Sequence, residues 1–199
     1  DETIARFRLG FAPDSRHAQM ATLSGRRIVD MVWEDLKPLD IVSVASVDNA
    51  VTTVLALGGS TNAAVHMIAL ARRAKVPLTL DRFDQLARRT PVLANIRPSG
   101  TFLMEDFYYA GGLRGMLARL TDLLALEALT ANGRSLGENL AGAKVHDDDV
   151  IRTRDNPLVP RDGLAVLRGN LAPDGAVIKP AAMDASLQRH TGRAVVFLG

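Results

Sequence analysis

The chain contains no cysteine. That excludes disulfides, and it excludes a thiolate-held metal or iron–sulfur centre built from this chain alone. Aromatic residues are scarce, at 5% of 199 residues, so a core must be built mainly from Ala, Val, Leu and Ile. Such a composition suits helices packed on a parallel sheet better than an all-β sandwich. An excess of one charge is missing too: Lys and Arg total 24, Asp and Glu total 22, and the net charge is +2. The arginines stand singly or in pairs (Arg26-Arg27, Arg72-Arg73, Arg88-Arg89), which on helices read as solvated faces. Without a basic block interleaved with aromatics, nucleic acid is disfavoured as a partner. No apolar run reaches the ~20 residues of a membrane span, and Asp48, Asn49 and His66 interrupt the most apolar region. The opening residues "DETIARFRLG" are mixed and charged, unlike a signal peptide. The expectation is a cytoplasmic protein without a membrane partner.

What is present is a large apolar fraction, 47%, arranged mostly with helical period. Residues 15–36 space Met20, Leu23, Ile28, Met31, Val32 and Leu36 as a helix, and Pro38 is expected to end it. Residues 46–57 are rich in β-branched residues. Yet Val47, Ala50, Val51, Val54 and Leu55 share one helical face, which predicts a helix with Ser46 as N-cap and Gly58 at its end. A second helix is predicted from about Asn62 to Ala74, after a Gly58-Gly59 junction. Thr79 reads as the cap of a short helix within 77–91, with Asp81 in its first turn and Arg88 and Arg89 in its last. Residues 91–96 read as a short buried strand and 97–100 as a turn. Two helical segments hinge at Gly111-Gly112. Asn132-Gly133 is a turn signal, and Ser135 with Glu138 matches a capping box. From about residue 143 the chain turns polar, and three β-like runs follow: 164–167, 176–178 and 193–199.

The stretch "ALGGSTNAAVHMIALA", residues 56–71, offers the most chemistry. A helix start carries backbone N–H groups without internal partners and a partial positive charge. Two glycines allow close approach, and Ser60, Thr61 and Asn62 add side-chain donors. These three are the candidate substrate-binding residues, as a seat for a carboxylate or phosphate. The simpler reading is that Ser60 or Thr61 only caps the helix. The stretch is neither a P-loop nor a dinucleotide fingerprint.

Other polar residues also have plain explanations. His66 is either a ligand or acid–base residue, or a hydrogen-bonded core histidine, and the second is the simpler. The four histidines are dispersed and no HExxH pattern occurs, so no metal ligand is assigned. Glu105-Asp106 could bind a cation, but neighbours on a helix diverge by about 100°, which favours a cap or an ion pair. Asp147, Asp148 and Asp149 read as a solvated loop. Arg97 and Ser99 could meet an anion, or simply belong to a turn held by Pro98 and Gly100.

Several stretches taken together resemble the dihydroxy-acid dehydratase / phosphogluconate dehydratase family. They are "SGRRIVDMVWEDL", the run from "GGSTNAAVHM" through "NIRPSG", "FLMEDFYYAGGLRGML", "ALTANGRSLGENLAG" and "VIRTRDNPLVPRDGLAVLRGNLAPDGAVIKPAA". They are collinear and cover nearly the whole chain. The resemblance implies an α/β fold: part of a three-layer α/β/α sandwich over residues 1–148, then the beginning of a swivelling β-rich domain over 149–199. It implies a hydro-lyase that removes water from a 2,3-dihydroxy acid to give a 2-keto acid. The cofactors implied are an iron–sulfur cluster acting on the leaving hydroxyl and Mg²⁺ binding the substrate. A homo-oligomer, dimer or tetramer, is implied as well. The pattern "NAAVHMIALARRA…LAPDGAVIKP" is closest to sugar-acid dehydratases such as those of arabinonate, with the branched-chain biosynthetic enzyme next.

The departure is the lack of ligands. The family's cluster cysteines, metal-binding acids and modified lysine would precede residue 1, and a further metal-ligand Glu and the catalytic Ser would follow Gly199. No catalytic residue is therefore assigned here. The chain, which begins with Asp rather than Met, is expected to be the middle of such an enzyme and inactive by itself. The alternative is a catalytically inactive relative that binds a small carboxylate or a protein.

Overall fold

The computed structural model describes residues 15–184, 186, 189–193 and 195–197, with side chains from residue 18 onward. Helix α1 (Ser15–Trp33) leads to a one-turn helix, α2 (Pro38–Ile41). Then come α3 (Val44–Ala56), α4 (Thr61–Arg73), α5 (Leu80–Ala87), α6 (Met104–Tyr109), α7 (Gly112–Ala118) and α8 (Leu136–Leu140). Strands β1 (Ala165–Gly169) and β2 (Ala172–Ile178) form one antiparallel ribbon, with Ala165 opposite Ile178 and Leu167 opposite Ala176.

The apolar residues divide into two cores. In one, Leu93, Ala94, Phe107, Met116, Leu120 and Ile151 pack together beneath α6, α7 and α8. In the other, Val51, Leu55, Phe83, Leu86, Ala71 and Leu164 gather between α3, α4, α5 and the ribbon. Helix α3 lies between them, since Ala56 belongs to the first core and Leu55 to the second. Its polar side is used as well. Buried Asn49 donates Nδ2 to the Ala125 carbonyl (2.9 Å) and accepts from the Ala125 N–H at Oδ1 (2.8 Å). One amide side chain thereby satisfies both backbone groups of a loop residue 76 positions away.

Residues 91–96 are extended and buried, as expected of a core strand, but they pair through isolated bridges. Val92 faces Val159, Ala94 faces Ile151, and Ile96 faces Phe102. The described residues contain no parallel sheet of the kind the composition suggested; the helices and the two-stranded ribbon are compatible with an α/β fold, with 91–96 inside the first core and the ribbon bordering the second.

The helix ends follow local chemistry, with four differences from expectation. Helix α1 stops at Trp33, where Asp35 takes φ 54°, and Pro38 opens α2 instead of closing α1. Proline at a first helical position costs nothing because its missing N–H would have no partner there. The cap of α3 is Ser43 rather than Ser46. The Ser43 N–H donates to Ser46 Oγ (2.8 Å) and the Ser46 N–H to Ser43 Oγ (3.2 Å), so two serines share the role and only the first lies outside the helix. Arg27 is not simply solvated, because its guanidinium grips Glu34 and donates Nε to the Ala131 carbonyl (2.7 Å). Helix α5 ends at Ala87, so Arg88 is its C-cap and Arg89 lies beyond it instead of both filling its last turn. Thr79 caps α5 through the Arg82 N–H, Gly111 and Gly112 join α6 to α7 at positive φ, and Ser135 and Glu138 form the capping box of α8. Of the third β-like run, residues 193 and 195–197 carry no regular structure, and 194, 198 and 199 lie outside the described residues.

No helix among the described residues is long and apolar enough to cross a membrane.

Candidate substrate-binding mouth at the start of helix α4

Helix α3 ends in a Schellman motif, which sets the direction of everything after it. The Gly58 N–H donates to the Leu55 carbonyl (3.0 Å) and the Gly59 N–H to the Val54 carbonyl (2.9 Å), with Gly58 at φ 63°. Gly59 has no room for a side chain, because a Cβ there would lie 2.7 Å from Val54 Cγ1 and 2.9 Å from the Val54 carbonyl. The two glycines therefore turn the chain within one step and deliver Ser60 to the start of α4.

Ser60 Oγ accepts the Asn62 N–H at 3.1 Å, so Ser60 is the N-cap of α4. Ser60 and Asn62 are exposed and Thr61 is half-buried. The three predicted residues thus stand together at the helix mouth, open to a ligand, with one hydroxyl already serving the helix.

Two further groups meet the same corner from distant parts of the chain. Lys179, just past β2, donates its Nζ to the Gly58 carbonyl at 2.5 Å. Burial pushes the Lys179 ammonium below its ordinary value. Ser99 brings its Oγ within 3.9 Å of where a Cβ on Gly58 would lie, and that oxygen is buried without a hydrogen-bond partner. The turn bearing Ser99 is fixed by Asn95, which is buried. Asn95 donates to the Asp149 carbonyl (2.9 Å) and accepts from the Thr101 N–H (3.1 Å). Gly100 sits so close that a Cβ would fall 2.4 Å from Asn95.

Sequence reading found the helix mouth and named Ser99, but it missed Lys179. Nothing local to "VIKP" signals a partner 121 residues away. Arg97 does not join the site; it is exposed and its Nε donates to the Thr101 carbonyl (3.2 Å).

The other candidates resolve into local roles. His66 is exposed rather than buried, and lines an apolar groove of about 240 Å³ with Val42, Ser46, Val47, Met67 and Leu70. The core-histidine reading fails because α4 turns Ala64 and Ala71 inward, which leaves position 66 outside. Asp106 caps α6 by accepting the Leu103 N–H at 2.7 Å. Asp147, Asp148 and Asp149 do more than face solvent. Asp147 accepts the Asp149 N–H (2.8 Å), while Asp148 and Asp149 pair with Arg119 and Arg152. Among the described residues no three His, Asp or Glu side chains gather as a metal site would require.

Known proteins share this chain's order of residues. Residues 9–139 match the dihydroxy-acid/6-phosphogluconate dehydratase N-terminal family and residues 149–199 its C-terminal counterpart. A 6-deoxy-6-sulfo-D-gluconate dehydratase of Pseudomonas putida is 49% identical over 94% of this chain and 33% of its own length. An L-arabinonate dehydratase of Rhizobium leguminosarum bv. trifolii is 47% identical over 92% of this chain and 32% of its own. A dihydroxy-acid dehydratase of Caldicellulosiruptor saccharolyticus is 43% identical over 90% of this chain and 33% of its own. The chain thus spans about a third of the length of these relatives. With both family regions matched in order and nearly the whole chain covered, the chain belongs to the dihydroxy-acid/6-phosphogluconate dehydratase family.

Proposed function

We propose that this chain is the central part of a hydro-lyase that dehydrates a 2,3-dihydroxy carboxylic acid to a 2-keto acid, and that the mouth of α4 binds the acid's carboxylate. The observation that carries the binding role is the grouping at Gly58. The Lys179 ammonium bonds the Gly58 carbonyl and the unpartnered Ser99 hydroxyl lies beside Gly58, two residues ahead of the Ser60 cap of α4. All three favour an anion: the helix end through its N–H groups and dipole, the ammonium through charge, the hydroxyl through an unused donor. Burial makes the Lys179 charge costly, and a bound carboxylate would offset that cost. Sugar acids are the favoured class, because the 6-deoxy-6-sulfo-D-gluconate and L-arabinonate dehydratases are among the relatives.

An iron–sulfur cluster and Mg²⁺ are part of this proposal, since a cationic centre stabilises a departing hydroxyl. The described residues fit neither group: the chain has no cysteine, and among the described residues acidic and histidine side chains form no cluster. Both groups would be held by polypeptide outside this chain. Here the residues bind and orient the acid. The sandwich and swivelling-domain architecture, a cytoplasmic setting and a homo-oligomeric assembly belong to the same proposal.

A second reading, a binding domain without catalysis, is favoured by that same lack of ligands. Calorimetry with L-arabonate and D-gluconate tests the shared binding step. Lys179→Met is expected to weaken binding about tenfold, the value of one charge-assisted contact. Equal heats from both proteins would contradict the mouth as the carboxylate site. Formation of 2-keto acid by a cluster-loaded chain that includes the flanking family regions separates the enzyme from the binding domain.

A further inference from the structure

Helix α1 has a broad apolar face, and the described fold covers one edge of it. Met31 is buried against the body of the protein, with Met20 and Leu23 half-buried on the same side. The adjoining side, which begins at Ile28 one turn before Met31, carries Ala18, Ala21, Gly25, Ile28 and Val32. Their spacing of three, four, three and four residues is that of a helix-packing seam. Every one is exposed: Ile28 by 55% and Val32 by 74%, with Trp33 beside them at 85%. A Cβ on Gly25 would meet nothing within 4 Å. The apolar face of this helix is thus wider than the part the described fold covers, and a contiguous apolar strip left exposed marks a packing surface.

What covers the seam follows from size. A strip along this 19-residue helix measures about 28 Å by 10 Å, or about 280 Å², while a stable dimer buries about 800 Å² per partner. Self-pairing of α1 alone falls well short. A second apolar opening, the groove between α3 and α4 lined by Val42, Met67 and Leu70, also calls for a larger neighbour. The relatives supply a measure of that neighbour, for two thirds of their length has no counterpart in this chain, and α1 lies inside the region matched to the family.

We propose that the outer seam of α1 is an internal packing surface, covered by the part of the dehydratase fold that has no counterpart in this chain. The inference rests on the α1 geometry and the family, and is independent of what binds at Gly58.

The 199-residue chain is measured by sedimentation and with a hydrophobic dye, unsubstituted and as the double variant Ile28→Glu/Val32→Glu. The expected result is a monomer that binds dye, and a variant of unchanged helix content that loses most of the dye signal. A dimer dispersed by the variant would overturn the proposal in favour of a second copy. So would a dye signal that the variant leaves intact. A graft of this chain into the matched third of the Rhizobium L-arabinonate dehydratase reads the packing itself. The native seam is expected to give a folded enzyme-sized protein, and the double variant a soluble yield at least tenfold lower. Equal yields, or a graft that stays insoluble with the native seam, would contradict it.

Discussion

The segment 91–96 and helix α1 are both rich in apolar residues, yet they end in opposite states. Val92, Leu93, Ala94 and Ile96 are all buried, and the buried Asn95 among them spends both ends of its amide on backbone partners. Helix α1 leaves Ile28, Val29, Val32 and Trp33 in solvent. The first region is complete within this chain. The second leaves part of its apolar face exposed, the surface we propose the rest of the dehydratase fold covers. Apolar content alone does not separate the two cases; the presence of partners on every side does.

The comparison can be broken at its two ends. Leu93→Ala is expected to cost about 3 kcal/mol, because it leaves a cavity among Phe107, Met116 and Ile151. Val32→Ala in the same chain is expected to cost no more than about 0.5 kcal/mol, as for other exposed positions. Urea midpoints measure both, and similar losses would erase the distinction.

Asn95→Ala comes next. It strands the Thr101 N–H and the Asp149 carbonyl, for an expected loss of about 2 kcal/mol. Ser99 would lose its fixed turn as well, so hydrogen exchange over 97–101 should accelerate. Unchanged exchange would show that Asn95 does not hold the turn.

The smallest expected effect is a pH dependence at α8. The Ser135 N–H and hydroxyl both donate to the Glu138 carboxylate and hold it below its ordinary value of 4.5. A depressed folded value means the contribution is full above pH 4.5 and is lost as pH falls through the lowered value. Local exchange in 135–140 should rise over that acid range and lose its pH dependence in Glu138→Gln. A variant that follows the unsubstituted curve would contradict the assignment.

Local chemistry was legible from residues alone. Thr79, the Ser135–Glu138 box and the Gly-Gly turns each act within four residues of themselves, so short-range pattern suffices. Ser46 gives way to Ser43 as the cap because the two serines bond reciprocally and only Ser43 lies outside the helix. The polar clamps were less legible. Asn49 and Asn95 interrupt apolar stretches, but their partners lie on loops distant in sequence, and only packing chooses them. Lys179 is the extreme case, since its role at Gly58 depends on where the β ribbon docks. The helix mouth itself was recognisable because Gly-Gly followed by a cap is a local motif.

The central claim is that this mouth receives a carboxylate. Amide chemical shifts of the labelled chain, titrated with L-arabonate, test it most directly. The account predicts saturable shifts at Gly58–Asn62 and Ser99, and their loss in Lys179→Met. Saturable shifts confined to the α3–α4 groove around His66, or none anywhere, would contradict it.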